Sequence, residues 1–559
     1  MENPRPQFAL RLLPSMTDFA FLMPIVFLFA RMDGARTLLS DGDTGWHIRT
    51  GQWILAHHRV PAHDIFSFSR AGDVWYAWEW LWDVLFAWLY MHGGLAIVVL
   101  ASMLVISFTY TLLFRLVRRR ASSIVAIIFM MLAAVSSSIH WLARPHLFTL
   151  LFLVLFYGAL ENVRAGRTRM FGRVPYLWVL PFATILWTNL HGGFFAGILL
   201  VGTYGVGELL RAVFAAESEE RRTAARCAWH YVCCAAGCLA ASLVNPYTYH
   251  LHVHVVDYLA DPYQGQHIVE FFSLSFHHPM AIFFEAVIVA ATMASFWYIS
   301  KRQFIEPLVM LMWMHAALVS ARNIPIFTLL AAPMAAGAVE EWLKLLPQLQ
   351  IAAWARSAAK SFRQVAAELD EIDVVRRWHV VSACAVVLVG SILFAPAPPR
   401  KFRSDYDPKS YPAAALAVLD RDPHSRIFTS DEWGDYLIYR LYPQTKVFVD
   451  GRSDFYGRDF EEKYLAVMNV KYNWEKTLDG FGIDTILLPT DAPLAGALKE
   501  SSRWRLIYDD GISLVFRPSR ANPGTQFSAN PTGGGTGRDR EVTKTEARDR
   551  TITESKSKT

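Results

Sequence analysis

The chain contains repeated apolar runs close to the length that a helix needs to cross a lipid bilayer. About 20 apolar residues span the hydrocarbon core as a helix, and runs of this kind occupy most of residues 12–396. A soluble protein of 559 residues would need more polar cover, since 53% of these residues are hydrophobic and 18% are charged. The pattern predicts about eleven membrane-spanning helices, near residues 12–32, 93–114, 121–140, 146–160, 175–190, 194–210, 230–245, 279–299, 304–320, 324–338 and 379–396.

Basic residues gather in alternate loops between these runs, at 115–120, 164–173, 221–226, 301–302 and 344–377. Cytoplasmic loops carry an excess of Lys and Arg, so these loops and the amino terminus are predicted to be cytoplasmic. The opposite side then receives the first long loop, 33–92, and everything after about Pro396. We expect a multi-pass protein of the bacterial inner (plasma) membrane. The modest net charge of +5 indicates no nucleic-acid partner.

The segment after the last apolar run has a different composition. Residues 397–520 are polar enough to be soluble and alternate short β-like runs with helical stretches, as small α/β domains do. We therefore predict a transmembrane domain over 1–396 and a small extracytoplasmic α/β domain over 397–520. Residues 521–559 turn to Gly, Thr, Ser, Asn and charges, a composition that predicts a disordered tail.

Two carboxylates, Asp41 and Asp43, directly follow the first apolar run. Acidic groups at the exit of a membrane helix are costly unless they bind something. One of them could act as a general base, or both could hold a divalent cation such as Mg²⁺ or Mn²⁺. The structural alternative is that Asp43 caps an interfacial helix over 44–57, with Trp46, Trp53 and Ile54 turned towards lipid. Glu79, between two tryptophans, is a further candidate acid at the same face.

Uncommon polar residues recur at the ends of other apolar runs. The predicted topology brings them to one membrane face, where a shared polar cavity is the simplest use for them. Imidazoles at a helix break can reach such a cavity, and arginines there can hold the charge of a lipid-linked phosphate. Snorkelling or interfacial placement is the structural alternative, and for Arg49 a simple ion pair with Asp43. The candidates for substrate binding are His47, Arg49, Arg144, His146, Asn189, His191 and Arg322.

Two glycine-containing turns carry structural predictions. The stretch 175–210 is too long for one crossing and short for two. Glycine pairs end helices readily, so His191-Gly192-Gly193 is predicted to separate two short helices. In the C-terminal domain, Asp450-Gly451-Arg452 follows a β-like run, where ligands bind in open α/β sheets, but it has no Gly-rich phosphate loop. We expect this turn to pack against the membrane domain.

Four motifs together resemble the GT-C superfamily of membrane glycosyltransferases. They are an Asp-x-Asp-Thr-x-Trp-His first loop, a Glu-Trp-Leu segment, an Asn-Leu-His-Gly-Gly turn and a Trp-Gly-x-Tyr-Leu…Asp-Gly-Arg tail domain, found at Asp41–His47, Glu79–Leu81, Asn189–Gly193 and Trp433–Arg452. The resemblance covers most of the chain up to about Arg520. It implies polyprenyl-phosphate-linked sugar donors and a catalytic or metal-binding acid in the first external loop, here Asp41 or Asp43. The paired Asp-Glu of protein mannosyltransferases and the Trp-Trp-Asp signature of oligosaccharyltransferases are not matched, which puts protein substrates in doubt.

We therefore expect an α-helical polytopic membrane protein, GT-C-like, that moves a sugar from a polyprenyl-phosphate carrier to an extracytoplasmic acceptor. Asp43 would deprotonate the acceptor or hold a metal, with Asp41 and Glu79 assisting. The acceptor stays open between a glycan, a lipid and a protein, and the sugar is not indicated. A transporter or flippase for a lipid-linked or polar solute is one alternative, which would place charges deep inside the spans. A non-catalytic envelope assembly protein is the other.

Overall fold

The computed structural model describes residues 11–350, 352–373, 377–422 and 424–519, so the predicted disordered tail lies outside the described residues. The α-helices are α1 Met16–Arg31, α2 Asp43–His57, α3 Trp80–Val117, α4 Ser123–Ser137, α5 His146–Arg164, α6 Tyr176–Leu190, α7 Phe194–Phe214, α8 Ser218–Ala241, α9 Tyr249–Ala260, α10 Pro262–His267, α11 Ala281–Ser300, α12 Ile305–Val319, α13 Ile324–Leu345, α14 Ala353–Ile372, α15 Val380–Leu393, α16 Leu416–Leu419, α17 Asp431–Leu441, α18 Ser453–Tyr456, α19 Arg458–Met468, α20 Trp474–Phe481 and α21 Pro493–Glu500. The strands are β1 Arg169–Met170, β2 Val174–Pro175, β3 Ile427–Phe428, β4 Thr485–Pro489, β5 Trp504–Asp509 and β6 Ser513–Pro518.

The membrane part is helical. Six segments of the described chain are long and apolar enough to cross a membrane, namely Trp80–Val117, Ser123–His140, His146–Arg164, Phe194–Phe214, Ala281–Ser300 and Ala321–Gln348. Three further apolar helices, α6, α12 and α15, are shorter. The polytopic helical architecture agrees with the sequence, whereas the count of eleven spans stays a prediction. The run near 230–245, for example, overlaps α8 Ser218–Ala241, which is not among these long or shorter apolar helices.

Helix α3 begins well before the apolar run that predicted it. It is 38 residues long and is interrupted by non-helical backbone at Gly93 and Gly94. Gly94 has φ of +60°, a conformation that glycine adopts without a steric penalty. The part of α3 before this kink packs against α2, and it places Asp83 one turn after Glu79.

The break predicted at His191-Gly192-Gly193 is confirmed, but only one of the two helices is short, since α6 has 15 residues and α7 has 21. Helix α6 ends at Leu190 and α7 begins at Phe194. Gly193 is needed here because a Cβ on it would collide with the Thr149 hydroxyl and would lie 2.8 Å from the His191 ring nitrogen Nδ1. The turn therefore brings His191 against α5.

Helix α2 lies between α3 and α17. Two glycines allow this close approach, because a Cβ on Gly51 would collide with the backbone of Asp83 and a Cβ on Gly45 would lie 2.6 Å from Tyr439 Cβ. Trp46 is buried as a result. The structural alternative, in which Trp46 faces lipid from an interfacial helix, is therefore wrong for this side chain, because α3 and α17 cover α2.

The C-terminal region is an α/β fold, as predicted. Its four-stranded sheet has the order β3-β4-β6-β5, with β3 and β4 parallel and the other pairs antiparallel. The run at Lys446–Asp450 is extended but joins the rest through isolated bridges, from Val447 to Ser67 and to Ile427. Two backbone hydrogen bonds tie Val447 to the first long loop, at Phe66 and Phe68.

The membrane helices and this α/β region belong to one compact unit that ends at Pro518. The structure thus gives no separate boundary at residue 396, and the proposed division at that point stays a prediction. The consequence for function is that the C-terminal region can supply part of any cavity near the first loop.

Candidate active site

A cavity of about 530 Å³ lies where one set of helix ends meets the C-terminal region. Residues from distant parts of the chain line it together, as the sequence predicted for a shared polar cavity. Its lining includes Asp43, His47, Glu79, Arg144, His146, His191, Glu270, Arg322 and Asp454.

Four of these polar groups lie at or beside a helix end. Asp43 is the first residue of α2, and Glu79 directly precedes α3. Arg144 lies in the turn before α5, and Arg322 lies in the short 3₁₀ turn Ala321–Asn323 before α13. Charged and polar groups are most costly in the middle of a membrane span, which explains why these groups lie at helix ends, where they meet in one cavity.

Arg144 is the centre of the ionic network. Its guanidinium contacts Asp41 at 2.8 Å, Asp43 at 2.6 Å and Glu270 at 2.9 Å. Burial disfavours the charge on Arg144, but these carboxylates outweigh that effect and raise its pKa well above the ordinary value. No sequence motif pointed to Glu270, which lies in the short 3₁₀ turn Val269–Phe271.

Asp43 has an unusual affinity for a proton. Burial, with repulsion from Asp41, raises its pKa to about 7 against the attraction of Arg144. The indole Nε1 of Trp46 donates a hydrogen bond to Asp43 Oδ1 over 3.1 Å. Asp43 therefore gains or loses its proton near neutral pH, as a general base requires.

A second buried carboxylate, from the C-terminal region, lies beside Asp43. The backbone N–H of Gly451 donates to Asp435 Oδ1 over 2.9 Å. A Cβ on Gly451 would lie 2.5 Å from Asp43 Oδ1 and 2.7 Å from Asp435 Oδ2. Burial first, and then the neighbouring Asp43, raise the pKa of Asp435 well above the ordinary value. Glycine at position 451 is thus what lets the C-terminal region close on Asp43.

Glu79 lies between two histidines. Its carboxyl oxygens are 3.6 Å from His47 Nε2 and 3.5 Å from His191 Nε2. Burial raises the pKa of Glu79 to about 8, helped by the charges of Asp454 and Asp43. Glu79 is therefore largely protonated at pH 7 and can donate a hydrogen bond into the cavity.

The partners of His191 fix its tautomer. Its Nδ1 accepts a hydrogen bond from the backbone N–H of Gly193 over 3.0 Å. Thr149 Oγ1 lies 2.8 Å from the same nitrogen and accepts from Trp187 Nε1, so the threonine hydroxyl donates to His191. The proton of neutral His191 is then on Nε2, facing Glu79. Burial, followed by repulsion from His146 and Arg322, lowers the pKa of His191 and keeps the ring neutral.

His47 and His146 are held by other partners. His47 Nδ1 is 2.6 Å from Asp83 Oδ1, and its ring stacks on Trp46 with centroids 3.7 Å apart. Burial, followed by the charge of Arg144, lowers the pKa of His47 well below its ordinary value. His146 Nε2 donates to the carbonyl of His140 over 2.6 Å. Both rings are therefore fixed in position at the cavity wall.

Arg322 is the cavity's unneutralised cation. Its guanidinium lies over the ring of Phe271, 4.5 Å from the centroid. Its Nη1 has no hydrogen-bond partner, and it forms no ion pair with any residue in the described part of the chain. A buried donor without a partner is costly, and an anionic ligand at this point would satisfy it.

Two predicted substrate-binding residues lie away from the cavity. Arg49 donates to the carbonyl of Tyr439 over 2.8 Å and so joins α2 to α17. Asn189 donates to the carbonyl of Val244 over 2.8 Å and accepts from Trp80 Nε1 over 2.7 Å. Their hydrogen-bonding groups are used within the protein, so the prediction that they bind substrate does not fit their placement.

The turn at Asp450-Gly451-Arg452 packs against the membrane part, as predicted. Arg452 is buried and donates to Asp450 over 2.7 Å and to Asp64, in the first loop, over 2.8 Å. Its guanidinium also lies 4.5 Å from the ring centroid of Trp75. This contact fixes the C-terminal wall of the cavity.

A divalent cation does not fit the acidic pair in its present arrangement. Asp41 and Asp43 each direct a carboxylate oxygen at the same guanidinium, so Arg144 fills the space between them. No group of three or more His, Cys, Asp or Glu side chains within the described residues could hold a metal ion. Binding of Mg²⁺ or Mn²⁺ by this pair would require Arg144 to move away.

No known protein family profile matches the sequence, and no curated protein sequence matches it. The fold does match solved structures of an archaeal oligosaccharyltransferase, AglB, from Archaeoglobus fulgidus. The complex with an inhibitory peptide and a dolichol-phosphate has a TM-score of 0.50 at 11% identity, over 92% of this chain and 74% of that chain. The apo form has a TM-score of 0.50 at 10% identity, over 90% and 74%.

A third structure, tethered to an acceptor peptide containing the NVT sequon, has a TM-score of 0.50 at 11% identity, again over 90% of this chain and 74% of that chain. Identities this low show the fold and nothing finer. They agree with the GT-C resemblance seen in the sequence motifs, and with a polytopic membrane protein. This chain therefore has the fold of the archaeal oligosaccharyltransferase AglB.

Proposed function

We propose that this chain is a membrane glycosyltransferase, and that the cavity around Asp43 is its active site. The observation that carries the proposal is the convergence of a neutral-range carboxyl, Asp43, with an unneutralised arginine, Arg322, in one cavity. Transfer of a sugar from a lipid phosphate needs both groups: a base for the acceptor and a cation for the leaving phosphate.

The donor is a sugar carried on a polyprenyl phosphate. Arg322 binds a phosphate oxygen through its free Nη1, and the neutral His191 donates a further hydrogen bond from Nε2. The same cavity has an apolar part, lined by Leu150, Leu199, Trp313, Val319 and Ile326, which suits the first isoprene units of the carrier. One of the fold relatives, AglB, was solved with a dolichol-phosphate.

Asp43 accepts the proton of the acceptor. The acceptor oxygen or nitrogen attacks the anomeric carbon of the sugar, and its proton passes to the Asp43 carboxylate. The bond from the anomeric carbon to the phosphate oxygen breaks, and its electron pair stays on the phosphate. Negative charge at Asp43 also favours the oxocarbenium-like transition state. Arg144, held between Asp41 and Asp43, keeps the base oriented.

Glu79 and His47 act on the donor side of the cavity. Protonated Glu79 donates a hydrogen bond to a sugar hydroxyl or to a phosphate oxygen. His47 orients the Glu79 carboxyl group through the 3.6 Å contact. These roles need groups that are neutral at pH 7, which burial provides for both. A Mg²⁺ or Mn²⁺ ion stays an alternative source of positive charge, with Asp41 and Asp43 as ligands if Arg144 swings away.

The transport alternative is less well supported. A transporter needs ionisable groups near the middle of its spans, whereas Asp43, Glu79, Arg144 and Arg322 all lie at helix ends. The assembly-protein alternative predicts that the cavity residues are dispensable. A test on the cavity residues therefore separates it from the enzyme.

The test is an analysis of lipid-linked and transferred glycans in cells with and without the gene, complemented with single variants. Asp43→Asn and Arg322→Gln should each fail to restore the missing glycan. The matched control is Asp257→Asn, because Asp257 is an exposed acid on α9 that does not line the cavity. Full complementation by well-expressed Asp43→Asn would reject the proposal. Sugar transfer by membrane extracts is also assayed with and without a chelator. Loss of transfer with the chelator would indicate that a divalent cation, and not Arg144, supplies the positive charge beside Asp41 and Asp43.

A further inference from the structure

A second cavity, of about 810 Å³, lies at the other end of the membrane helices. It is formed by the end of α3, the middle and end of α5, the first half of α6 and the β1–β2 hairpin, and it shares no lining residue with the first cavity. Neither the motifs of the sequence nor the proposed reaction uses it.

The walls of this groove are apolar. Aliphatic and aromatic side chains from three helices form them, and Gly158 on α5 leaves space beside Leu116. The principal wall residues are Leu112, Phe152, Leu155, Phe156 and Val179. An apolar groove of this kind between membrane helices suits a hydrocarbon chain.

One end of the groove carries unneutralised positive charge. Arg115 and Arg119 line it, and neither forms an ion pair with a described residue. Their chain neighbours differ, since Arg118 pairs with Asp370 and Arg120 with Glu161. The Nη1 group of Arg119 donates to Asn162 over 3.0 Å, which fixes its direction.

The arginines lie close enough to repel one another. Burial, followed by the charges of Arg167 and Arg115, lowers the pKa of Arg119. Such like-charged groups are stable together when an anion joins them. The apolar groove and this cationic end are adjacent, so the site is complementary to an anionic phospholipid, in which a charged phosphate adjoins hydrocarbon chains.

The β1–β2 hairpin covers the same end. Phe171, at its tip, is 90% exposed and lines the groove, with Arg169 and Arg173 on either side. Aromatic residues anchor proteins at the membrane–water interface, and basic residues beside them attract anionic headgroups. The hairpin is therefore placed to close over a bound headgroup.

We propose that this groove binds one anionic phospholipid of the membrane leaflet that faces the basic loops. The phosphate lies between Arg115 and Arg119, and an acyl chain follows the wall past Phe152 towards Val179. The positive-inside pattern of the same loops makes this the cytoplasmic leaflet, which carries anionic lipid. The site is independent of the glycosyltransferase proposal.

The test uses the full-length protein purified in detergent, with bound lipid counted by native mass spectrometry during titration with phosphatidylglycerol or phosphatidylcholine. We expect one tightly retained phosphatidylglycerol and no such retention of phosphatidylcholine. The double variant Arg115→Gln/Arg119→Gln should bind phosphatidylglycerol about thirtyfold more weakly, from the electrostatic contribution of two arginines. The control Arg222→Gln/Arg226→Gln removes the same charge from exposed positions on α8 and should bind as the unaltered protein does.

A second variant tests the hydrocarbon part. Ala183→Phe fills the groove from α6 without changing charge, and it should also release the lipid. Equal binding of both lipids, unchanged affinity in the Arg115→Gln/Arg119→Gln protein, or an Ala183→Phe protein that retains the lipid would each overturn the proposal. Displacement of the lipid by millimolar inorganic phosphate would overturn it as well, because the acyl chain would then contribute nothing.

Discussion

Replacing Arg144 with glutamine tests the electrostatic account of the site most sharply. The guanidinium contacts three carboxylates within 2.9 Å, and for Asp43 it is the strongest influence opposing burial. Glutamine keeps a polar side chain of similar length but removes the charge. The Asp43 carboxyl then remains buried beside Asp41 and Glu270 with no cation to favour its ionised form.

The size of the effect follows from Coulomb's law. At an effective dielectric constant of about 20, two unit charges about 4 Å apart interact by about 4 kcal/mol. Each pKa unit corresponds to about 1.4 kcal/mol, so the loss of Arg144 should raise the pKa of Asp43 by about 2–3 units above its present value of about 7. At pH 7 the fraction of Asp43 available as a base then falls roughly a hundredfold to a thousandfold.

The assay is the rate of sugar transfer by protein reconstituted in liposomes, measured from pH 5.5 to 9.5. The unaltered protein should show a rate that rises with an apparent pKa near 7. Arg144→Gln should be strongly impaired at pH 7 and recover as pH rises. Arg322→Gln is the matched control, because it removes another cavity arginine. It should lower the rate without shifting the apparent pKa of the rise in rate. An Arg144→Gln protein whose rate still rises with an apparent pKa near 7 would refute the reasoning.

Three further predictions test single features of the site. The pKa of Asp43 is raised from 3.8 to about 7, so the folded state binds this proton more tightly than the unfolded state does. The protein therefore loses stability as pH rises from about 4 to about 7. Asp43→Asn should flatten that part of the plot of unfolding temperature against pH. Glu79→Gln should keep most activity at pH 7 and remove any decline above pH 8, because the pKa of Glu79 is about 8 and glutamine mimics its neutral form, as a pH–rate profile would show. Gly451→Ala should destabilise the protein by about 1–3 kcal/mol through overpacking against Asp43 and Asp435. Gly480→Ala should not destabilise it, because there is open space around Gly480. Thermal unfolding in detergent measures both effects.

Much of the architecture could be predicted from local patterns. The helix break at His191 and the packing role of Arg452 follow from glycine pairs and from the position of a turn after a β-like run. The convergence of Asp43 and Arg322 followed from topology, because alternate helix ends share a membrane face. These inferences need the order of the helices and their polarity, both of which are present in the sequence.

Other residues could not be assigned because their partners are distant in the chain. Asn189 and Arg49 are polar residues beside motif residues, but the carbonyls of Val244 and Tyr439 take their hydrogen bonds. Asp435 occupies the variable position of the Trp-Gly-x-Tyr-Leu motif, and its contact with the Asp43 region depends on how the C-terminal region folds back onto α2. Side-chain partnerships of this kind come from tertiary packing and leave no local signal.

The central claim is that carboxyl and guanidinium groups from distant helices form one active site for sugar transfer. The most direct measurement is transfer from a polyprenyl-phosphate-linked sugar pool by purified protein in liposomes, comparing the unaltered chain with Asp43→Asn and Asp257→Asn. The account predicts product from the unaltered protein and from Asp257→Asn, and none above background from Asp43→Asn at equal folded amounts. Equal product from Asp43→Asn, or product that does not depend on this protein, would contradict it.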